Sequence, residues 1–299
     1  MTKHLFGVIC THSGTAANNR GETEGNVTTL QKLLWNGAVH TTVSSEAIRW
    51  AIRQRWQARG IPTNRRWDED TRRHNWQDRT FRRGEQEFID DDVLGYMSAE
   101  ASKEEGEKGT ALVRRSRLEV ARAVSLTPWA GDITFNAASI GATPSAAMRG
   151  ENPVPYGAEM HATRYQFGFA LTPESLSEPA RATDAINAII ELGDVAGNHA
   201  RFLFDFSPES VVFRWTDDFA PRILYGFDDG GSGAVGASKV VRAVESRDVP
   251  AAEIIVGGAL ADTPDGRRLV ELGAAAYKGV REAEADLLAR VRSTLGLSG

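Results

Sequence analysis

A buried strand followed by an amphipathic helix constrains the fold of this chain more than any other feature. Residues 4–11 are almost all apolar, which is typical of a strand that is buried on both faces. After a polar segment, Ser44 and Ser45 predict the start of a helix that runs to residue 58, because a serine oxygen accepts a hydrogen bond from the free first-turn N–H groups. We expect Arg49 and Arg53 on its exposed face, since the apolar residues share the other one. That apolar face consists of Ile48, Ala51, Ile52 and Trp56.

The remaining periodicity predicts a mixture of strands and helices. Residues 12–43 are interpreted as a long loop, and 111–126 as a strand or a helix, with strand favoured for the second half. The order strand, helix, strands, helix and hairpin predicts an α+β fold of the ferredoxin or RRM type. The later elements are expected as a strand over 161–171, a helix over 183–195, a hairpin over 201–215 and a C-terminal helical segment over 263–296.

The chain has 299 residues, 41% of them apolar, which is enough for a core, and is interpreted as a single domain, 1–299, with insertions. Residues 60–92 are rich in Arg, Asp and Trp, and residues 130–160 in Gly, Ala, Pro and Asn. We interpret 130–160 as a projecting arm between two strands. Residues 98–110 are polar and low in complexity, which predicts a flexible, solvated loop.

Charge and composition narrow the function classes. The net charge of −5 argues against a wholly basic nucleic-acid binder, but eleven arginines stand against six acidic residues between 44 and 85. Such a segment fits a polyanion or the acidic face of a neighbouring subunit. The single cysteine, Cys10, excludes internal disulfides and fits the cytosol. Because the sequence has neither a long apolar run nor a basic leader, we expect a cytoplasmic protein without a membrane span.

The predicted helix N-terminus is a candidate anion site. Free N–H groups and the helix dipole together bind phosphate, and arginine can grip a phosphate with two hydrogen bonds. Ser44, Ser45, Arg49 and Arg53 all lie within the first turns. The alternative is an ordinary capped surface helix with solvated arginines.

Three other motifs contain residues that could carry chemistry. Gly231–Gly236 matches the dinucleotide fingerprint GxGxxG, but the chain lacks alternating βα units, and Ala237 stands where a P-loop needs lysine. Asp90-Asp91-Asp92 could hold a cation, but no second cluster completes a site. His161 or Tyr165 could do acid–base work, although a structural role is the simpler interpretation. We therefore expect no metal and no cofactor.

Several segments resemble the CRISPR-associated backbone proteins of type I interference complexes (Cascade), the seventh Cas family, in its DevR-like subtype I-B branch of the RAMP superfamily. In Asp92–Met97, Leu94 replaces the phenylalanine of the family's Asp-x-Phe-Gly segment. The resemblance covers about residues 1–215 and leaves the role of 216–299 open. The matching segments are Asn19-Arg20-Gly21-Glu22, Gly25-Asn26, Gln31-Lys32, Val43 to Arg53, Asp92 to Met97, Arg115 to Leu126 and His161 to Leu176.

The resemblance implies a hand-shaped fold, with an RRM-like palm, a helical finger insertion at 60–92 and a thumb hairpin at 130–160. Family members polymerise along the guide RNA and hold its phosphates, while the neighbour's thumb flips a base in each repeat. Carried over by position, the guide-backbone contacts are Asn19, Arg20, Lys32, Ser44, Ser45, Arg49 and Arg53. The thumb-tip positions are Met148, Arg149, Asn152, Pro153 and Pro155, and a glycine loop with Gly231, Gly233 and Gly236 is expected to add a phosphate contact.

The resemblance therefore implies a non-catalytic subunit that binds guide CRISPR RNA in a complex for DNA target recognition in antiviral defence. Its expected partners are the guide, copies of itself, other Cascade subunits and the target DNA strand, which pairs with the guide. The type III relatives cleave RNA with a loop aspartate that has no aligned counterpart here. The alternatives are a repeat-RNA endoribonuclease of the same superfamily and a nucleotide-dependent enzyme that uses the glycine loop.

Overall fold

The computed structural model describes residues 2–17, 23–81, 88–99, 111–137, 155–195, 203–231 and 233–297. The helices in these ranges are α1 Ser45–Ala58, α2 Ile89–Val93, α3 Arg181–Ile190, α4 Ser238–Glu245, α5 Pro264–Glu271 and α6 Val280–Leu295. The strands are β1 His4–Thr11, β2 Gly14–Ala16, β3 Thr23–Glu24, β4 Val27–Thr28, β5 Lys32–Trp35, β6 Ala38–Val43, β7 Arg65–Asp68, β8 Arg73–Trp76, β9 Tyr96–Ala99, β10 Ala111–Arg114, β11 Leu118–Val120, β12 Ala123–Ser125, β13 Ile133–Asn136, β14 Tyr156–Glu159, β15 His161–Thr163, β16 Tyr165–Leu171, β17 Pro208–Thr216, β18 Asp228–Asp229, β19 Val235–Gly236, β20 Ile254–Gly258 and β21 Ala275–Tyr277.

A central sheet organises the molecule in the order β21-β20-β17-β1-β16-β12-β6-β5, and β11 also pairs with β16. The strand predicted over residues 4–11 is confirmed as β1. It pairs antiparallel with both neighbours, so that Gly7 lies opposite Phe169 on β16 and opposite Phe213 on β17. The α+β class is therefore confirmed.

Each face of the sheet has its own core, because successive side chains of a strand point to opposite faces. Leu5 and Ile9 of β1 belong to the core that includes the apolar residues of α1, α3 and α6. Phe6 and Cys10 belong to the core that includes residues of α4 and α5. Burial raises the pKa of the Cys10 thiol far above its ordinary value, and Glu209 adds to the shift. Cys10 is thus a structural residue.

The expected loop over 12–43 is wrong, since β2 to β6 lie in its described part. β5 and β6 pair antiparallel from Lys32–Thr41 to Trp35–Ala38. Their turn is Asn36-Gly37, and both residues have positive φ angles, of 49° and 82°. Asn-Gly is the strongest short signal for such a two-residue hairpin. The sequence therefore contained a local signal for the β5–β6 hairpin.

The C-terminal elements also differ from prediction. The single helical segment over 263–296 is divided by β21, which pairs parallel with β20. Gly273, at a φ of 105°, follows α5 and allows the chain to turn back towards the sheet. The helix expected over 183–195 is α3, and residues 203–206 form no strand, so the hairpin with β17 is absent there. In the segment 111–126, the strand interpretation is correct.

The two segments of unusual composition form small sheets. In 60–92, β7 and β8 pair as a hairpin and only α2 is helical, so the described part is not the helical insertion that was expected. In 130–160, β13 pairs antiparallel with β14, which joins a sheet of order β13-β14-β4-β3. Residues 138–154 and 100–110 lie outside the described ranges. Among the described helices, none has the length and apolar character needed to cross a bilayer.

Candidate nucleic-acid interface

The N-terminus of α1 is built as the sequence predicted. Ser44 is the N-cap residue, and its Oγ accepts a hydrogen bond from the Ala47 N–H at 3.2 Å. Glu46 lies in the first turn, where its own backbone N–H lowers the pKa of its carboxyl group, helped by the hydroxyls of Ser45 and Ser44. A lowered carboxyl pKa means that the site stabilises negative charge. This end of α1 therefore favours an anion.

Arg49 supplies a positive charge one turn further along. Its guanidinium donates a hydrogen bond to the carbonyl oxygen of Leu94, a neutral acceptor. Partial burial lowers the pKa of Arg49, and the nearby charge of Arg53 lowers it further. The Leu94 carbonyl does not neutralise the guanidinium, and the nearby Glu46 carboxylate offsets the shift in part by raising the pKa of Arg49. Arg49 is therefore a candidate contact for an anionic ligand.

Arg53 does not lie on an exposed face, so that prediction is wrong. Its Nε donates to Asp90 at 2.9 Å, and both side chains are almost fully buried. The same carboxylate accepts the backbone N–H groups of Asn64 at 2.7 Å and Arg65 at 3.1 Å. Residues 63–76 fold back over the polar side of α1, which buries Arg53. Its role is to hold the β7–β8 hairpin against the helix.

Lys32 also forms an ion pair within the protein. Its Nζ lies 2.5 Å from a carboxylate oxygen of Glu159, which is buried, and 4.3 Å from the centre of the Trp129 ring. Glu159 accepts a second hydrogen bond from the Leu30 N–H at 2.6 Å. Lys32 thus neutralises a buried carboxylate and ties β5 to β14.

Arg122 is a cation at this site that the sequence reasoning missed. It lies between β11 and β12, is exposed, and donates to Thr42 Oγ1 at 3.2 Å and Gln31 Oε1 at 3.4 Å. Its charge contributes to the lowered pKa of Glu46, so it faces the N-terminus of α1. The basic character of 115–126 was the available signal, but only the pairing of β12 with β6 brings Arg122 to this place.

The glycine loop is a hairpin turn supported by carboxylates. Gly231 and Gly233 have positive φ angles, of 77° and 79°, between β18 and β19. At the N-terminus of α4, Asp228 accepts the Ser238 N–H at 3.0 Å and Asp265 accepts the Ala237 N–H at 2.7 Å. The buried Gly236 leaves no room for a side chain, since a Cβ there would lie 2.0 Å from an oxygen of Asp228. The donors that a phosphate would need are thus already occupied by carboxylates.

The three adjacent aspartates do not converge on one point. Asp90 binds Arg53, Asp91 accepts a hydrogen bond from Asn64 at 2.8 Å, and Asp92 binds Arg114 at 2.6 Å and Arg181 at 2.9 Å. Within the described ranges, no three His, Cys, Asp or Glu side chains cluster as metal ligands would. The aspartates instead join α2 to four neighbouring segments, namely α1, the chain before β7, β10 and α3.

His161 and Tyr165 are both buried and share one partner. Thr41 Oγ1 lies 2.7 Å from His161 Nδ1 and 2.9 Å from the Tyr165 hydroxyl. Burial raises the pKa of Tyr165 to about 12 and lowers the pKa of His161. Both residues serve the packing of β15 and β16 in this structure.

Several expected contact residues cannot be placed. Pro155, exposed immediately before β14, is the one thumb-tip position inside the described part of the chain. The positions outside the described residues are Asn19, Arg20, Met148, Arg149, Asn152 and Pro153.

Comparison with known proteins identifies the family. The family model described as "CRISPR-associated negative auto-regulator DevR/Csa2" matches residues 13–197, more than half of the chain. The chain belongs to the DevR/Csa2 family. A Myxococcus xanthus (strain DK1622) protein named "CRISPR-associated protein Cas7/Cst2/DevR" is 60% identical over 264 residues, covering 86% of this chain and 87% of that one. The resemblance to the seventh Cas family is thus confirmed.

Solved structures share the fold of this DevR/Csa2 family member. One, titled "CRISPR RNA-guided surveillance complex", matches with a TM-score of 0.59 at 16% identity, covering 97% of this chain and 99% of that one. Another, "CRISPR RNA-guided surveillance complex, pre-nicking", has a TM-score of 0.61 at 13% identity, covering 96% and 99%. At these identities the likeness concerns the fold alone.

Proposed function

We propose that this protein is a non-catalytic backbone subunit that binds guide CRISPR RNA and polymerises along it in a type I (Cascade) surveillance complex. The observation that carries the proposal is the 60% identity to the Myxococcus Cas7/Cst2/DevR protein across most of both chains. The complex would recognise DNA through pairing of the guide with the target strand, in antiviral defence. Its partners would be the guide, further copies of this chain and other Cascade subunits in the cytoplasm.

The sheet topology supports an RRM-like palm in this proposal. β17, β1, β16 and β11 lie side by side in that order, and α1 and α3 connect them in chain order. This is the β-α-β-β-α-β arrangement of ferredoxin-like folds. The β7–β8 hairpin would be the finger, and β13 with β14 the base of the thumb.

The proposed phosphate contacts are Ser45, Arg49 and Arg122, arranged around the end of α1 that Ser44 caps. Among the described residues, Arg49 and Arg122 donate hydrogen bonds to neutral acceptors, and the Glu46 carboxylate lies near both. Two cations thus stand against this one carboxylate and can attract a phosphate. Asn19 and Arg20 stay in the proposal on resemblance alone. Arg53 and Lys32 become supporting residues because each pairs with a buried carboxylate. The glycine loop is left out, since its neighbouring aspartates repel phosphate.

The absence of catalysis is part of the proposal. An endoribonuclease needs an acid or base within reach of a ribose hydroxyl or a phosphate. His161 and Tyr165 were the sequence candidates, and both are buried against Thr41. Because buried side chains do not reach a bound RNA, these two candidates for acid–base chemistry favour binding without cleavage.

Co-expression with a repeat–spacer RNA tests the proposal. We expect the purified protein to carry RNA of guide length and to form assemblies whose mass increases with spacer length. Arg49→Glu combined with Arg122→Glu should abolish this assembly, whereas Arg242→Glu on α4 should not. A protein that carries no RNA and stays monomeric with a guide would refute the proposal. Metal-independent cleavage of the repeat at a fixed position would refute the non-catalytic role.

A further inference from the structure

An aromatic surface beside Arg49 has no part in the phosphate contacts proposed above. Trp50 of α1 and Trp67 of β7 are 40% and 46% exposed, which is unusual for so large an apolar side chain. His74 of β8 lies between them, with ring centres 6.5 Å from Trp50 and 5.1 Å from Trp67. We call Trp50, Trp67 and His74 the aromatic platform.

The platform is held in a defined orientation. Trp50 Nε1 donates a hydrogen bond to His74 Nε2 at 3.3 Å, which requires the neutral form of the imidazole. Burial lowers the pKa of His74, and the charges of Arg65 and Arg53 lower it further. His74 is therefore neutral at pH 7 and fixes the Trp50 ring. The hairpin register sets Trp67 directly opposite His74.

Arginines lie beside the platform, although Asp68, Glu69 and Asp70 follow Trp67 at the hairpin turn. Arg49 precedes Trp50 in α1, and Arg65 lies on the same face of the hairpin as Trp67, with its guanidinium 5.3 Å from the Trp76 ring. The charge of Arg53 lowers the pKa of both Arg49 and Arg65, so Arg53 lies close enough to each of them to repel it. Asp90, which binds Arg53, offsets this only in part. The surroundings favour an anionic ligand.

An exposed aromatic face next to cations that carboxylates offset only in part matches the chemistry of an unpaired nucleotide. Stacking on tryptophan binds a base of any identity, while arginine binds the adjoining phosphate. An apolar protein surface would cover the two tryptophans, but it would leave the guanidinium charges without a partner. A duplex hides its base faces and could not stack at all.

We infer that the aromatic platform stacks an unpaired base of a single-stranded nucleic acid whose adjoining phosphate lies at Arg49 or Arg65. This inference rests on the proposed function, because the N-terminus of α1 brings the strand to this side of the molecule. It adds a base contact to the phosphate contacts. RNA and DNA share the required chemistry, so the test contains both.

Photocrosslinking and affinity measurements on the full chain test the inference. The probes are an oligouridylate with one 5-iodouridine, a single-stranded DNA with 5-iododeoxyuridine, and the same DNA as a duplex. We expect crosslinks at Trp50 and Trp67 with a single-stranded probe and none with the duplex. Trp67→Leu, which keeps bulk but removes the aromatic face, should weaken single-strand binding about tenfold, the typical effect of losing one stacked base. Trp67→Phe should restore most of this loss.

Phe219→Leu is the matched control, because Phe219 is 76% exposed and contacts the His4 ring far from α1 in the chain. It should bind both single strands as the wild type does. Trp67→Leu should leave the salt dependence of binding unchanged, whereas Arg49→Gln should reduce its slope by about 0.7, the value for one phosphate of a single strand. Thermal melting verifies that each variant is folded.

The outcomes separate the inference from the proposed function. Salt-dependent RNA binding with wild-type affinity in Trp67→Leu and no crosslink at either tryptophan would overturn the inference alone. Crosslinks with DNA but no RNA binding would overturn the proposed function and keep the platform. Equal crosslinking of the duplex would show that the tryptophans do not stack an unpaired base, and would overturn the inference. A Trp67→Leu variant that binds nucleic acid normally but no longer self-associates would show that the platform contacts protein, and would overturn it as well.

Discussion

Two helix N-termini in this molecule, those of α1 and α4, have the same dipole but opposite surroundings. α1 is capped by the Ser44 hydroxyl, with Arg49 and Arg122 close by. At α4, carboxylates of Asp228 and Asp265 accept the N–H groups of Ser238 and Ala237. At α1 the Glu46 carboxylate of the first turn lies near these two cations, whereas at α4 two carboxylates take the first N–H groups, so only the α1 end keeps an excess of positive charge beside its dipole. The comparison shows that the partners of the first turn decide whether a helix end can bind phosphate.

The largest change at the α1 side should follow from removing the Asp90 carboxylate, which joins the helix to the β7–β8 hairpin. Asp90→Ala leaves Arg53 buried without its partner and frees two backbone N–H groups. The free energy of unfolding should fall by about 3–5 kcal/mol, as for other broken buried pairs. Urea denaturation measures the loss.

Glu119→Ala is the control for Asp90→Ala, since it removes the exposed ion pair with Arg115. Exposed pairs contribute less than about 1 kcal/mol, so this variant should unfold almost as the wild type does. If Asp90→Ala were equally stable, the β7–β8 hairpin would not depend on the Arg53 pair.

Removing one positive charge from each helix end should affect RNA binding at α1 alone. Arg49→Gln should weaken RNA binding about tenfold, because a charged hydrogen bond contributes about 1.5 kcal/mol or more. Lys239→Gln, in the first turn of α4, should leave the affinity unchanged. Fluorescence anisotropy with a labelled single-stranded RNA measures both. An equal effect of the two substitutions would mean that total charge, and not the α1 site, attracts the RNA.

A third prediction compares two hydroxyl caps of the same geometry. Ser44 Oγ accepts the Ala47 N–H and Thr263 Oγ1 accepts the Gly266 N–H, each at 3.2 Å. Replacing either residue by alanine should cost about 1 kcal/mol of stability. Only Ser44→Ala should also reduce RNA affinity. Thermal melting and anisotropy on the same samples separate the two effects, and a Thr263→Ala variant with weakened RNA binding would contradict the assignment of the site to α1.

Sequence patterns predicted the elements whose signals are local. β1 and α1 followed from apolar periodicity and a serine cap, and the start of α5 followed from Thr263-Pro264. The β5–β6 hairpin carried an equally local signal in Asn36-Gly37 that the loop interpretation overlooked. Where one turn or one helix face determines the structure, the residues themselves suffice.

The candidate site was less predictable because its cations form ion pairs with residues that are distant in sequence. Asp90 is 37 residues from Arg53, and Glu159 is 127 residues from Lys32. Helical spacing placed Arg53 opposite the apolar face, but it could not show that residues 63–76 cover that side. The sequence made both the α1 N-terminus and the glycine loop candidates for a phosphate contact. Asp265, which takes the Ala237 N–H from 28 residues away, is one of the groups that make them differ.

The last prediction concerns the protonation of His74, which lies beside α1, and its effect should be the smallest. Burial, Arg65 and Arg53 lower the pKa of His74, so the unfolded chain binds a proton at that residue more readily than the folded one. The stability that depends on neutral His74 is therefore complete above pH 6.5, the ordinary value, and decreases as the pH falls through the lowered pKa. Protonation also converts Nε2 from an acceptor to a donor, which breaks the hydrogen bond from Trp50. NMR should show the His74 ring and the Trp50 indole N–H shifting together below pH 6.5, and Arg65→Gln should move both transitions upward. A His74 titration at or above its ordinary pKa would contradict the cationic surroundings on which the α1 side of the comparison depends.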